Sequence, residues 1–262
     1  MMGTPAESPD MWVAGIDGCP SGWFVIEADG KRDYDHRVVE SIETAVHATD
    51  PPALALVDTP IGLLETPGQR PCDRLARRAL SPTRHASVFT PPCRQALEAD
   101  SYEAANERNQ AAVGKGLQRQ AWHIADKIRE LDRLLRDTPT LQGIIREAHP
   151  EVGFWGLTSE PMAANKRTQD GRQSRLAVLR SVDPTIESVY ADAVDRYQRS
   201  TVGRDDIIDA LCLAVIAARR MERGTLATLP ADPPTDPFGH PMEMVYWPKA
   251  SGTAASALPL ES

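Results

Sequence analysis

Three apolar runs crowd into the stretch from Trp12 to Glu40, and the residues between them are turn formers. Trp12 to Ile16 reads as a buried strand, Asp17-Gly-Cys-Pro-Ser-Gly22 as a reversal, and Trp23 to Ala28 as the returning strand. Asp29-Gly30 turns the chain again before Tyr34 to Glu40, so a meander of three strands opens the fold. A short helix over Ile42 to Ala48 then precedes a fourth strand, Ala53 to Val57. Because a helix separates it from the meander, this strand can join the sheet only by a crossover, which predicts an α/β fold.

Between Leu63 and Gln142 no strand pattern recurs. Helical stretches (Pro71 to Leu80, Arg94 to Asn109, Leu117 to Leu135) alternate with turns such as Ser81-Pro82 and Thr90-Pro-Pro92, so residues 63–142 read as a helical insertion. The sheet resumes at Gly143 to Ala148, and His149-Pro150-Glu151 opens a helix with proline at its first position. Further helices are predicted at Arg172 to Arg180, Ile186 to Gln198 and Asp205 to Met221. Pro230 to Pro241 carries five prolines and predicts an irregular surface loop, with Met242 to Trp247 as a last edge strand.

At 262 residues and 41% hydrophobic content the chain can bury one sizeable core, which predicts a single domain over 11–248 between flexible tails, 1–10 and 249–262. No apolar run reaches the length of a membrane span, and the polar, acidic start lacks the order of a signal peptide, so a cytoplasmic protein is expected. Cys19, Cys72, Cys93 and Cys212 form no CxxC pair and predict reduced thiols rather than disulfides or zinc. The net charge of −8 opposes non-specific attraction to nucleic acid. Two segments run against that total. Residues 70–94 hold six arginines against Asp73, and residues 166–180 hold five basic residues against Asp170. These segments read either as solvated helix faces or as local anion holders.

The chemistry lies in aspartates. Asp17 closes the first strand, Asp58 the fourth, and Asp206 and Asp209 sit in the first turns of an otherwise apolar helix. A lone carboxylate after a buried strand is costly unless paired or bound to a cation. Open α/β sheets keep their ligands at the carboxyl ends of the strands, so one site holding Mg²⁺ or Mn²⁺ is expected there. The bland alternatives are turn aspartates accepting backbone N–H bonds and an acidic first turn facing the helix dipole. Glu147 shares a strand face with Ile145 and His149, would neighbour Asp58, and is a further candidate for ligand or base. His149 and Glu151 read as helix-opening residues.

Gly15-Ile-Asp-Gly-Cys with Gly22-Trp23, Asp58-Thr-Pro-Ile-Gly-Leu, Cys72-Asp-Arg-Leu-Ala-Arg77, Ser87-Val-Phe89, Gly116-Leu with Gln120, Glu147-Ala-His-Pro-Glu151, Lys166-Arg-Thr168 and Asp206 to Leu211 together resemble the predicted RNase H-like nucleases of domain-of-unknown-function family 429. The resemblance runs from Gly15 to about Ala218. Family members usually carry a serine after Gly-Leu, where this chain has Gln118. The pair Asp206 and Asp209 is also similar to the terminal acidic pair of RuvC-type junction resolvases. The resemblance implies a five-stranded mixed sheet with strands 1–3 antiparallel and helices on both faces. It also implies a two-metal phosphodiester mechanism, with Asp17 shared between the ions and Asp58, Asp206 and Asp209 completing the site.

The function expected is therefore a metal-dependent nuclease acting on nucleic acid. Arg70, Arg74 and Arg77, spaced along one predicted helix, and Lys166 with Arg167 are the candidate substrate-binding residues. Two alternatives stand beside it. One is an ATP-dependent small-molecule kinase of the actin and hexokinase superfamily, against which the absence of any Gly-Gly pair counts. The other is a binding protein that keeps the fold without the chemistry. At 5% aromatic content, no stacking platform for single strands stands out.

Overall fold

The hairpin of the N-terminal meander is longer and tighter than the sequence pattern suggests. In the computed structural model, which describes residues 11–29, 33–47 and 49–249, strand β1 spans Trp12–Cys19 and β2 spans Gly22–Asp29. They pair antiparallel from Trp12↔Asp29 to Cys19↔Gly22. Asp17 is thus a strand residue opposite Phe24, and the reversal is confined to Pro20-Ser21.

Strand β3 (Tyr34–Val39) pairs antiparallel with β2, and helix α1 (Ile42–Ala45) is capped by Ser41, whose side chain accepts from Thr44 N. Strand β4 (Leu54–Val57) then lies parallel to β1 on the other side. Five helices follow before the next strand: α2 (Pro71–Ala79), α3 (Arg94–Leu97), α4 (Tyr102–Val113), α5 (Arg119–His123) and α6 (Ala125–Asp137). The two long helices expected in this region are each broken, at residues 98–101 and at Ile124. Ser101 caps α4 by accepting from Ala104 N, a signal that an unbroken helical pattern hides. Strand β5 (Ile145–Glu147) pairs parallel with β4 and completes a mixed sheet of order β3-β2-β1-β4-β5.

Helices α7 (Pro150–Thr158), α8 (Gln169–Val182), α9 (Ile186–Arg196) and α10 (Arg204–Arg223) follow. The expected edge strand at the C-terminal end does not join the main sheet. Strand β7 (Met244–Tyr246) pairs instead with β6 (Ala227–Leu229), a strand the sequence pattern did not reveal. The proline-rich segment between them is not wholly a surface loop, since Asp236 and His240 are buried.

Strand alternation sorts the core into two layers. Val13, Phe24, Ile26, Leu54 and Leu56 pack with Ile207, Leu211 and Val215 of α10 on one face. Ala14, Ile16, Val25, Ala55 and Val57 pack with Leu131 and Leu135 of α6 and with α1 on the other. The α10 contact is unusually close. A Cβ on Gly15 would lie 2.2 Å from Ala214 N and 2.3 Å from Ala210 O, so only glycine lets the helix backbone rest on β1. Of the expected tails, residues 1–10 and 250–262 lie outside the described residues, whereas Lys249 is pinned by its N–H to Gly156 O at 2.7 Å. No helix among the described residues is long and apolar enough to cross a membrane. All four cysteines are free and buried.

Candidate metal centre

Asp17 and Asp58 project from the carboxyl ends of two neighbouring parallel strands. The pairing Ile16↔Val57, with Asp58 N donating to Ile16 O at 3.0 Å, brings the next residue of each strand side by side. Both belong to the alternation set that faces α10. The helix supplies Asp209 one residue before Ala210, whose carbonyl nearly touches Gly15. Asp17, Asp58 and Asp209 each offer an oxygen within 4.8 Å of the others.

Lys166 enters the cluster from the loop before α8, and its Nζ donates to Asp209 Oδ2. That loop is fixed from beneath. Arg175 donates to Ala164 O at 3.0 Å and to Glu151, and Gly171 lies so close to Asn165 O that a Cβ would approach it to 1.9 Å. The other oxygen of Asp209, Oδ1, is buried without a hydrogen-bond partner.

The electrostatics follow from crowding. Burial, then the charges of Asp58, Asp209 and Asp206, push the Asp17 carboxyl well above its ordinary range. Burial and Asp209 push Asp58 up to about 7. Asp206 rises to about 6, chiefly through burial. Burial alone would lower the Lys166 ammonium, but Asp209, Asp17 and Asp58 outweigh it and hold the charge on. One ammonium among these carboxylates leaves an excess of negative charge, which a divalent cation would offset.

Asp206 stands beside the cluster and has a local task. Its Oδ2 accepts from Gly203 N at 2.9 Å and closes the N-terminus of α10, whose cap residue is Gly203. Glu147 is not part of the set. It pairs in register with Val57 and so points to the sheet face opposite Asp58, where it accepts from Ile61 N at 2.6 Å and from Arg70. Asp58 and Glu147 border one small cavity together with Asp73 and His149. Burial raises Glu147 to about 8 despite Arg70.

The basic residues separate as well. Arg70 is fully buried and bonds Asp73 at 2.9 Å and Ile61 O at 2.8 Å, so it does not extend an exposed basic face with Arg74 and Arg77. It precedes α2 as its N-cap residue, where the side chain can turn inward. Arg77 bonds Val88 O and Thr90 Oγ1, both at 2.9 Å, while Arg74 and Arg167 are exposed. Arg94 and Arg175, counted in the two basic segments, are also internal. His149 caps α7, its Nδ1 accepting from Glu151 N at 3.2 Å, as a helix-opening residue should. Glu151 is the residue whose importance the sequence concealed. It is buried, and its partner Arg175 lies in a different helix with no spacing to advertise it.

The fold and site define an α/β protein with a mixed five-stranded sheet and a buried carboxylate cluster at its parallel strand ends. Comparison with known families matches residues 15–235 to the family described as a protein of unknown function (DUF429), and the chain belongs to that family. No curated protein and no solved structure matches it.

Proposed function

We propose that this protein is a metal-dependent phosphodiester hydrolase, a nuclease, built on an RNase H-like version of the mixed sheet. One observation carries the reading: Asp17, Asp58 and Asp209 each offer an oxygen within 4.8 Å of the others, and Asp209 also has a buried oxygen, Oδ1, without a donor. A buried carboxylate oxygen left without hydrogen-bond donors is costly, and a hard cation with oxygen ligands satisfies it. Asp17, Asp58 and Asp209 would hold Mg²⁺ or Mn²⁺, with Asp206 at the margin. When bound, such ions supply a water acidic enough to attack at neutral pH and neutralise the leaving oxygen. Lys166 fixes the orientation of Asp209 and, beside the ligands, offers positive charge to a phosphate oxygen. Arg74 and Arg167 remain free to meet an anionic substrate, whereas Arg70 and Glu147 serve as an internal strut. A cytoplasmic setting suits the four reduced cysteines.

The test is a panel of single-stranded, duplex and branched DNA and RNA with Mg²⁺ or Mn²⁺, comparing the native protein with Asp17→Asn. Loss of at least about a thousandfold in rate, worth roughly 4 kcal/mol, is expected. Metal-dependent cleavage that survives the substitution overturns the reading. A second reading rests on Lys166, which already neutralises Asp209: the cluster could serve a non-catalytic binding protein with the ammonium in the ion's place. Titration calorimetry separates the two, since that reading requires no Mn²⁺ binding that depends on Asp17 and Asp58.

A further inference from the structure

We propose that the groove between α8 and α9 is a track for a nucleic-acid backbone, leading the strand toward the acidic cluster; this rests on the nuclease reading and specifies its substrate as a polymer. The groove measures about 790 Å³ and is lined by Arg172 and Arg180 of α8, Tyr190 of α9, and Arg199 and Arg204 near the start of α10. Four arginines face one acid, Glu187, so the groove carries local positive charge on a chain whose total is −8.

The placement of these charges decides for a polymer over a small phosphoester. Arg172 and Arg180 lie eight residues apart, about 12 Å along the helix axis, which is too spread to converge on one phosphate group. Arg204 is fixed by bonds to Val194 O at 2.8 Å and Tyr197 O at 3.1 Å, so its guanidinium is held in place at the groove wall. Arg199 is exposed and makes no ion pair among the described residues. The Arg180 to Glu187 pair is exposed on both sides, and such a pair exchanges readily for another anion.

One end of the groove also lies close to the site residues in sequence. Gln169, at its α8 end, follows Lys166 by three positions, and Arg204 precedes Asp206 by two. On this proposal, a backbone lying along the arginines continues from this end of the groove to the lysine and the carboxylates. Phosphate contacts of this kind set register and orientation without reading sequence.

The experiment measures fluorescence anisotropy of labelled single-stranded and duplex oligonucleotides, with EDTA present to prevent cleavage, over a salt series. Arg172→Glu with Arg199→Glu should weaken binding roughly tenfold or more and lower the slope of log affinity against log salt by about 1.4 to 1.8, the share of two phosphate contacts. Arg133→Glu with Arg220→Glu, an equal charge change at exposed positions elsewhere, should leave both quantities near the native values. If the reversal disturbs folding by circular dichroism, Arg172→Gln with Arg199→Gln, which removes the same two contacts, should lower the slope by about 1.4 to 1.8. Equal losses from both pairs, no loss from the groove pair, or no salt-dependent binding by the native protein overturns the proposal. Metal-dependent cleavage is read separately. Groove-dependent binding without cleavage removes the hydrolase and keeps the track, whereas cleavage with groove-independent binding does the opposite.

Discussion

Two groups of buried acids in this molecule have opposite chemistry. Around Arg94, the carboxylates of Asp132 and Asp236 are fully engaged: Arg94 reaches Asp132 at 3.0 and 3.1 Å and also meets Asp236 and Glu65. Asp236 further accepts from the N–H groups of Leu63, Phe238 and His240 at 3.2, 2.9 and 3.0 Å. Burial alone would raise that carboxyl, yet its His240, Arg94 and backbone partners hold it well below the usual range. At the strand ends, Asp17 and Asp58 are raised and Asp209 keeps an orphaned oxygen. Both groups offer three potential ligands within reach of one another, and in the Arg94 group it is the ring nitrogens of His240, not the carboxylates of Asp132 and Asp236, that lack a hydrogen-bond partner. A cluster whose oxygens have all found donors is a strut. An unmet oxygen alone does not mark a site, since Asp73 Oδ2 and Glu151 Oε2 are also buried without a partner; what sets Asp17, Asp58 and Asp209 apart is that three carboxylates converge at the ends of neighbouring parallel strands.

The contrast can be broken most forcefully at the strut. Arg94→Ala would leave Asp236 and Glu65 without their cation and Asp132 with Arg136 alone, and a loss of roughly 3–5 kcal/mol is expected in a urea melt. Asp17→Asn removes a repelled charge and should leave stability equal or higher. If Asp17→Asn costs as much as Arg94→Ala, the two clusters are of one kind and the distinction fails. Divalent ion should act only on the site: at a hundredfold excess of Mn²⁺ over its Kd, about 2.7 kcal/mol of added stability is expected, and none in Asp17→Asn.

Acidity sharpens the comparison further. Asp58 is raised from 3.8 to about 7 by folding, so between those values the folded protein binds more protons than the unfolded chain. Stability from this group is therefore present at low pH and lost as pH rises through about 7. Metal-free protein should lose on the order of 2 kcal/mol between pH 5 and pH 8 relative to Asp58→Asn, by thermal melts at each pH. A flat difference would refute the crowding. The smallest effect is expected at Lys166, where Lys166→Met frees Asp209 and should tighten Mn²⁺ binding roughly tenfold, about 1.4 kcal/mol, by calorimetry. Weaker binding would mean that the orientation Lys166 gives Asp209 outweighs the repulsion between its ammonium and the ion.

The main sheet was largely readable because its strands are short, apolar and bounded by turn residues. The meander, the crossover to β4 and the partnership of Asp17, Asp58 and Asp209 all follow from strand ends and one helix start. What escaped is long-range charge pairing. Arg70, Arg94 and Arg175 look like surface cations in the chain and are internal, because their partners Glu147, Asp236 and Glu151 lie 24 to 142 positions away with no local spacing to show it. Strand β6 and its pairing with β7 escaped for a similar reason, since three residues carry too little periodicity to read.

The contact at Gly15 has a further consequence. Since helix backbone rests on strand backbone two residues before Asp17 and one after Asp209, the spacing of the main chain that carries those two carboxylates is set by a backbone contact. By pushing helix from strand, Gly15→Ala should shift the preference of the proposed metal site from Mg²⁺ toward a larger ion such as Ca²⁺, read by calorimetry.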